Sequence, residues 1–472
     1  MPPYSGFMKI YDAIVIGSGQ GGTPLAKKLA KAGWKTALVE KSYVGGTCVN
    51  VGCTPSKTMI ASAKAIHTIR RAKEWGLIAE LKEIDIKAII KRKSDVVDLF
   101  RDSAQDGLEA TDNLELIWGQ ASFRERNVIE TKLNSGGISL MKASKIFIST
   151  GTKQDIPDIA GIAESGYLTS TTLMDLKEIP AHLLIIGGGY IALEFGQMYR
   201  RFGSDVTILN LGDRLLDQED TDISDEVKKL LELEGIRIIC RAETRAVVRD
   251  GDELKVSFEV GPELRSVSCS HLLVAAGRLP NSMDLNLPSA GVKTDDQGYI
   301  IVNEYLETSA EGIYAIGDVK GGPEFTHVAY NDHLILLRNL LRGEKQSTER
   351  LVPYCMFIDP QLGRIGMTEA EARAKGFNIK VACMPMSRVA RAIETGDERG
   401  LMKAVVDAGT GQILGAAILG EEGGEVMSVL QMAMLGKIDY STIRNMMFAH
   451  PLYAESLNNL FMEFDDDRSD AS

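Results

Sequence analysis

No run of this sequence is both long and apolar enough to cross a bilayer, which takes about 20 residues, and Met1 to Lys9 is short and polar without a secretory pattern. A helical membrane anchor is therefore not expected, and the expected compartment is the cytoplasm. Cysteine is sparse: four of the six, Cys240, Cys269, Cys355 and Cys383, stand singly. A secreted disulfide framework needs regularly spaced pairs, so that class is excluded. A zinc centre needs two close pairs or added histidines; only six histidines are present and none falls near a cysteine pair, so no metal site is expected. Positive charge is in deficit, with 53 Lys and Arg against 65 Asp and Glu and a net charge of −12. That balance argues against nucleic acid or an anionic membrane as the main partner. The basic run Lys91-Arg92-Lys93 reads as a solvated helix face. Apolar content of 44% is ordinary for a globular protein, and 472 residues suffice for two to four domains.

What the sequence does hold is one cysteine-bearing stretch, Gly45 to Lys57, with four residues between Cys48 and Cys53 and Pro55 just after the second. Proline suits the first turn of a helix, where its missing N–H would be unpaired anyway. From Thr54 to about Arg71 the apolar residues Met59, Ile60, Ala63, Ile66 and Ile69 form the stripe of that helix. Cys53 then lies just before a helix N-terminus, where the backbone dipole favours a thiolate. Cys48 lies one tight loop upstream. On spacing alone the two are a redox pair, two unrelated buried thiols, or half of a zinc site that lacks its other half.

Ahead of this stretch, a strand at Tyr11–Ile16 runs into Gly17-Ser-Gly19-Gln-Gly21-Gly22, a helix to about Ala32, and a strand ending in Glu40. Strand, glycine turn, helix, strand and terminal acid make a dinucleotide fingerprint. The glycines let the backbone approach a pyrophosphate at the helix N-terminus, and Glu40 can accept from a ribose. The pattern recurs. Leu183–Ile186 is followed by Gly187-Gly-Gly189-Tyr190-Ile-Ala192, a helix to about Phe202, a strand at Asp205–Leu209 and then Asn210, at the same offset from Gly187 as Glu40 from Gly17. A helix is expected over Glu80–Thr111 and short strands from Leu114 to about Ile148. From about Val352, four antiparallel strands and three helices are expected.

The Cys48–Cys53 stretch, the paired fingerprints, Ser149-Thr150-Gly151, the run Leu272 to Asn281 through Gly277, the run Ile313 to Gly317-Asp318, and the ending His450-Pro-Leu-Tyr-Ala-Glu455 together resemble the class I flavin-dependent pyridine nucleotide–disulfide oxidoreductases. That family includes glutathione reductase, dihydrolipoamide dehydrogenase and mercuric reductase. The resemblance covers nearly the whole chain. It implies an α/β fold of two Rossmann-like domains, for FAD and NAD(P), and a C-terminal α+β dimerisation domain. The implied boundaries are 1–151 and 273–348 for the FAD domain, 152–272 for the NAD(P) domain and 349–465 for dimerisation, with an acidic, disordered tail at 466–472. It implies electron flow from nicotinamide to flavin to a Cys48–Cys53 disulfide, and a homodimer.

The resemblance also implies roles. Cys53 faces the flavin as a charge-transfer thiolate and Cys48 is the interchange thiol. His450 of the partner subunit is the acid–base group, oriented by Glu455. Lys57 and Glu194 match a pair beside flavin N5, and Tyr190 matches the side chain that covers the flavin. FAD contacts fall on Gly17, Gly19, Gly22, Glu40, Thr47, Lys57, Thr150, Gly151, Gly277, Gly317 and Asp318. Nicotinamide contacts fall on Gly187, Gly189, Tyr190, Ala192, Glu194, Asn210 and Arg214.

Within the family, Cys48 to Lys57 and the ending read most like the mercuric-reductase-like branch that includes the reactive-chlorine-resistance flavoproteins. Phe448 stands where dihydrolipoamide dehydrogenase has a second histidine, and Leu452 where glutathione reductase has threonine. The expected acceptor is a small disulfide or a thiol-bound metal ion. Dihydrolipoamide dehydrogenase activity and a non-catalytic flavin redox sensor are the alternatives. Asn210 in place of an acid removes the repulsion of a 2′-phosphate, and with Arg214 nearby the expected nicotinamide is NADPH over NADH.

Overall fold

The computed structural model describes residues 8–466. The acidic tail expected at 466–472 lies outside the described residues, apart from Asp466 at the end of the last helix. The chain separates into two compact units, one made of Met1–Thr58, Ala88–Asp155 and Gly277–Arg350, the other of Met59–Lys87, Ile156–Ala276 and Leu351–Ser472.

In the first unit β1 (Lys9–Ile16), α1 (Gly22–Lys31) and β2 (Thr36–Glu40) form the first fingerprint, followed by the short helix α2 (Gly46–Asn50) and by α3 (Cys53–Arg71), whose first residues belong here. Two expectations are corrected. Cys48 sits inside α2 rather than in a loop, and Cys53 opens α3 rather than preceding it. The five residues of α2 hold together because the Asn50 side chain turns back, its Nδ2 donating to Val44 O at 2.9 Å and Gly46 O at 3.0 Å. The helix α4 (Ile86–Glu109) begins later than the expected Glu80. Of residues 80–85 only Leu81 and Ile84 are apolar, and both are only half-buried, so this stretch has little apolar face to dock, and a short helix without such a face is marginal.

Three strands follow, β3 (Leu114–Glu125), β4 (Val128–Leu133) and β5 (Ile138–Ile148). In the sheet β1 pairs in parallel with β2 and β5, and β2 with β3, while β3, β4 and β5 run antiparallel. The strand Ile313–Ala315 adds in parallel to β5. Both faces of the parallel part are covered, which is why β2 is buried at every residue. One face packs Ile14, Ile16, Val39 and Ile146, the other Val15, Leu25, Leu38 and Phe147.

The second unit holds a four-stranded parallel sheet. Its central strands His182–Ile186 and Asp205–Leu209 flank the helix Tyr190–Phe202 in sequence, with His271–Val274 and Arg237–Ile239 outside them. A three-stranded antiparallel sheet spanning Ala242–Cys269, absent from the sequence reading, packs Val256 and Phe258 against this domain's core. The C-terminal region is a five-stranded antiparallel sheet, one strand more than the four expected because Tyr354–Met356 adds at its edge, and it carries the helices Glu369–Ala374, Gly423–Leu435 and Tyr440–Asn445. No helix among the described residues is long and apolar enough to cross a membrane.

Candidate active site

In the first unit the two cysteines are brought together. Both are thiols, and Cys48 hydrogen-bonds Cys53. Cys53, first, and then burial hold the Cys48 thiol well above the ordinary cysteine range. The pair therefore carries one negative charge long before it carries two, and Cys48 needs an outside base to ionise at neutral pH. Lys57 lies one turn along α3, and Thr47 beside Cys48 in α2.

A third group, missed by sequence reasoning, joins them. Thr326 opens the helix Thr326–Arg342; its Oγ1 is 3.5 Å from Cys53 Sγ, and its hydrogen bond to Cys48 pulls that thiol's pKa down. Its signal in the sequence is slight: a helix start after the break Gly321-Gly-Pro323. Thr326→Val should raise the Cys48 pKa further and slow its alkylation by iodoacetamide at pH 7. One hydrogen bond to a sulfur is worth about 1 kcal/mol, so a slowing of several-fold is expected. An alkylation rate with an unchanged pH profile would separate Thr326 from the thiols.

The glycine turn beside them is shaped for a close ligand. Gly17 has φ +98°, and a Cβ there would meet Ser149 O at 2.4 Å, so no other residue fits. Nothing lies within 4 Å of a Cβ position at Gly19, which leaves its backbone open to approach. Gly22 packs its helix on Gly17 O, where a Cβ would sit at 2.0 Å. Glu40 accepts from Ser18 N at 3.0 Å, Ser18 Oγ at 2.7 Å and Ser42 N at 2.8 Å. A carboxylate has about four acceptor positions, so one remains for a ribose hydroxyl. Thr150 Oγ1 is buried without a hydrogen-bond partner, and Gly151 follows it with φ +64°. An open glycine backbone at a helix start and an unpaired buried hydroxyl fit the diphosphate and polar body of FAD.

Further along the first unit, Asp318 accepts from Thr152 Oγ1 at 3.4 Å, and burial pushes its carboxyl up. Gly317 N donates to Asp332 Oδ2 at 2.9 Å; Asp332 is fully buried and is held by Arg350 at 2.5 Å and Lys320 at 3.5 Å. Asp332 is thus what fixes the Gly317-Asp318 turn, a second residue the sequence alone did not single out. Gly277 O accepts from Asp155 N at 3.0 Å, tying the two crossings of the chain together.

In the second unit the fingerprint repeats its geometry. Gly187 has φ +119° and a Cβ there would meet Ala275 O at 2.2 Å, while Gly189 is open. Tyr190, at the first turn of its helix, is 37% exposed, whereas Ala192 and Glu194 are buried. Glu194 Oε1 accepts from Phe357 N at 2.8 Å. Asn210 lies beside the glycine turn, where a Cβ on Gly188 would meet its Oδ1 at 2.3 Å. It is 7% exposed, and its Nδ2 donates to Gly212 O at 3.0 Å and Arg214 O at 2.7 Å, so it also builds the turn that follows. Arg214 hydrogen-bonds Thr221, and Arg241 pairs with Asp213 at 2.7 Å.

Near the C-terminus of the same unit His450 Nδ1 meets Glu455 Oε2 at 2.9 Å, with the imidazole 68% exposed. A carboxylate at Nδ1 favours the tautomer that carries its proton on that nitrogen. Among the described residues no group of three or more His, Cys, Asp or Glu is arranged to hold a metal ion.

This arrangement has known counterparts. The model of the pyridine nucleotide-disulphide oxidoreductases matches residues 11–332, and that of their dimerisation domain matches 352–461. The chain is 38% identical over 459 residues to the probable pyridine nucleotide-disulfide oxidoreductase RclA of Escherichia coli, covering 96% of this chain and 99% of that one. It is 35% identical to a mercuric reductase of Bacillus cereus, over 98% of this chain and 73% of the other, and 35% identical to a dihydrolipoyl dehydrogenase of Thermus scotoductus, over 95% and 96%. Among solved structures, the Cu(II) complex of the HOCl-induced flavoprotein disulfide reductase RclA from Escherichia coli superposes with a TM-score of 0.89 at 37% identity, over 97% of this chain and 100% of that one. The chain belongs to the pyridine nucleotide-disulphide oxidoreductase family, and it is an FAD- and NAD(P)H-dependent oxidoreductase.

Proposed function

We propose that this enzyme passes electrons from NAD(P)H to a Cys48–Cys53 disulfide and from there to a small disulfide or a thiol-bound metal ion. The observation that carries the reading is the hydrogen-bonded thiol pair at the start of α3, with one member far harder to ionise than the other. FAD, when bound, supplies transfer of an electron pair between a nicotinamide and a disulfide. Gly17, Gly19, Gly22, Glu40, Thr150 and Asp318 would hold it, on a FAD domain made of 1–151 and 273–348. Residues 152–272 would take the nicotinamide and 349–465 would form the two-fold interface of a homodimer in the cytoplasm.

The protein's own chemistry is thiol exchange. Cys53, at the helix N-terminus, keeps the shared negative charge. The His450 imidazole, from the partner subunit, takes the proton of Cys48. The Cys48 thiolate attacks one sulfur of the acceptor disulfide, forming a mixed disulfide and expelling a thiolate that His450 protonates. Cys53 then attacks Cys48, re-forming the internal disulfide and releasing the second thiol. A panel of acceptors (oxidised glutathione, lipoamide, bacillithiol and mycothiol disulfides, Hg²⁺, Cu²⁺) with both nicotinamides tests the reading. Steady NAD(P)H oxidation with one of them supports it; flavin and thiol oxidation without turnover on any of them would favour a redox sensor instead. The similarity to a mercuric reductase and to a copper-complexed relative supports including the metal ions.

The preferred nicotinamide is NADPH, by roughly tenfold in kcat/KM, equivalent to about 1.4 kcal/mol. No carboxylate stands at position 210 to repel a 2′-phosphate, and Arg214 lies in the turn that Asn210 builds. Asn210→Glu would lose both carbonyl contacts along with the amide, so Arg214→Gln is the cleaner variant. It should lower kcat/KM for NADPH several-fold and leave NADH unchanged. A wild-type preference for NADH, or equal losses with both, would remove Arg214 from the selection.

A further inference from the structure

In the outward-facing His450–Glu455 pair, Glu455 stands on a single short turn, Tyr453–Glu455, so the carboxylate that holds the imidazole depends on what secures that turn. Tyr453 reaches from it into the domain. Its hydroxyl donates to Glu421 Oε2 at 2.9 Å and lies 2.6 Å from Thr395 Oγ1. Glu421 Oε1 is 3.4 Å from Lys64 Nζ on α3, and Lys64 is 3.4 Å from Asp359 Oδ1. Asp359 is in turn fixed by Arg201 at 2.7 Å in a buried bond, and Arg201 by the part-buried Glu234 at 2.7 Å.

The far ends of this chain of contacts are secured. Thr395 O accepts from Trp75 Nε1 at 3.2 Å, and the neighbouring Gly396 O accepts from Arg71. Buried ion pairs of this kind add little net stability, because desolvation offsets their attraction, but they resist being rearranged. The tyrosine hydroxyl is the link between that fixed cluster and the turn. Burial, with the Glu421 carboxylate, pushes the phenol up to about 12, so it stays a donor at neutral pH; Asp397 is the other charge facing it.

We infer that Tyr453 is a positioning residue for the His450–Glu455 pair, holding their turn to Glu421 and, through Lys64, to the helix that begins at Cys53. The inference rests on the proposed role of His450 as the base for Cys48. It assigns to Tyr453 no contact with substrate or cofactor.

The test needs no knowledge of the acceptor. Holoenzyme reduced anaerobically with NADPH is treated with iodoacetamide at pH 7, and carboxamidomethylation of Cys48 is followed by mass spectrometry. Tyr453→Phe keeps the ring and removes the hydroxyl. It should slow Cys48 alkylation by about tenfold, the effect expected for a hydrogen bond to a charged group, while FAD content and the rate of reduction by NADPH stay at wild-type values. Glu421→Leu should repeat the slowing and Glu421→Gln, which keeps an acceptor for Tyr453, should largely restore the rate; this pair carries the test if Tyr453→Phe does not fold. His450→Ala should slow alkylation at least as much. Wild-type alkylation in Tyr453→Phe beside slow alkylation in His450→Ala would overturn the positioning role and leave the base assignment standing. Wild-type alkylation in His450→Ala would overturn both.

Discussion

Cys53→Ser will remove the long-wavelength thiolate-to-flavin absorbance of the two-electron-reduced enzyme, whereas Cys48→Ser will keep it, and each will lower turnover with a disulfide acceptor on the order of a thousandfold or more. The difference between two sulfurs only five positions apart comes from their surroundings. Cys53 is the first residue of a 19-residue helix, at the positive end of the helix dipole, which favours negative charge there. Cys48 sits in a five-residue helix, and both its neighbour and its burial oppose ionisation. On the proposed reading the charge shared by the pair rests on Cys53, and Cys48 is the thiol to be activated for attack. Serine preserves shape but cannot be a thiolate at neutral pH, so the two variants separate spectrum from turnover. Loss of the absorbance in Cys48→Ser and its survival in Cys53→Ser would reverse the assignment.

The second large effect is expected at His450. His450→Ala should leave the rate of reduction by NADPH unchanged and slow the thiol-exchange half-reaction by roughly a hundredfold or more, the usual worth of a positioned acid–base group. The reason is the Cys48 thiol itself: held well above the ordinary range, it gives up almost no proton at pH 7 without help. The exchange half-reaction in the variant should regain rate as pH rises, because hydroxide then does what the imidazole did. If the base comes from the partner subunit, mixing Cys48→Ser with His450→Ala chains creates one intact site in each heterodimer. About one quarter of wild-type activity should then return after random re-pairing. No return of activity in a demonstrated heterodimer would mean that thiols and base belong to one chain.

The thiols and both nucleotide turns are legible in the sequence because each demands a residue type that nothing else can supply. At Gly17 and Gly187 the backbone is left-handed and a carbonyl stands where a Cβ would be, so glycine is obligatory and its spacing survives as a pattern. The helix after Cys53 is legible from Pro55 and its apolar stripe. Other features are invisible because their partners lie far away in the chain. Thr326 is 273 residues from Cys53, and an isolated threonine at a helix start is ordinary. Asp332 gains its meaning only from Gly317 N and Arg350. Asn210 was placed by its offset, which says where a side chain starts and not what else it holds; its Nδ2 also ties down the carbonyls of Gly212 and Arg214. The six positions before α4 misread as helix, 80 to 85, hold only two apolar residues, Leu81 and Ile84, both merely half-buried, too little to anchor a further turn.

One measurement reaches the central claim most directly. The oxidised holoenzyme is titrated anaerobically with NADPH, and thiols are counted by alkylation after the first equivalent. The expected result is two new thiols per flavin, mapped to Cys48 and Cys53, with the flavin's main absorbance largely retained. Bleaching of the flavin by that first equivalent, with no thiol gained, would contradict a path through Cys48 and Cys53.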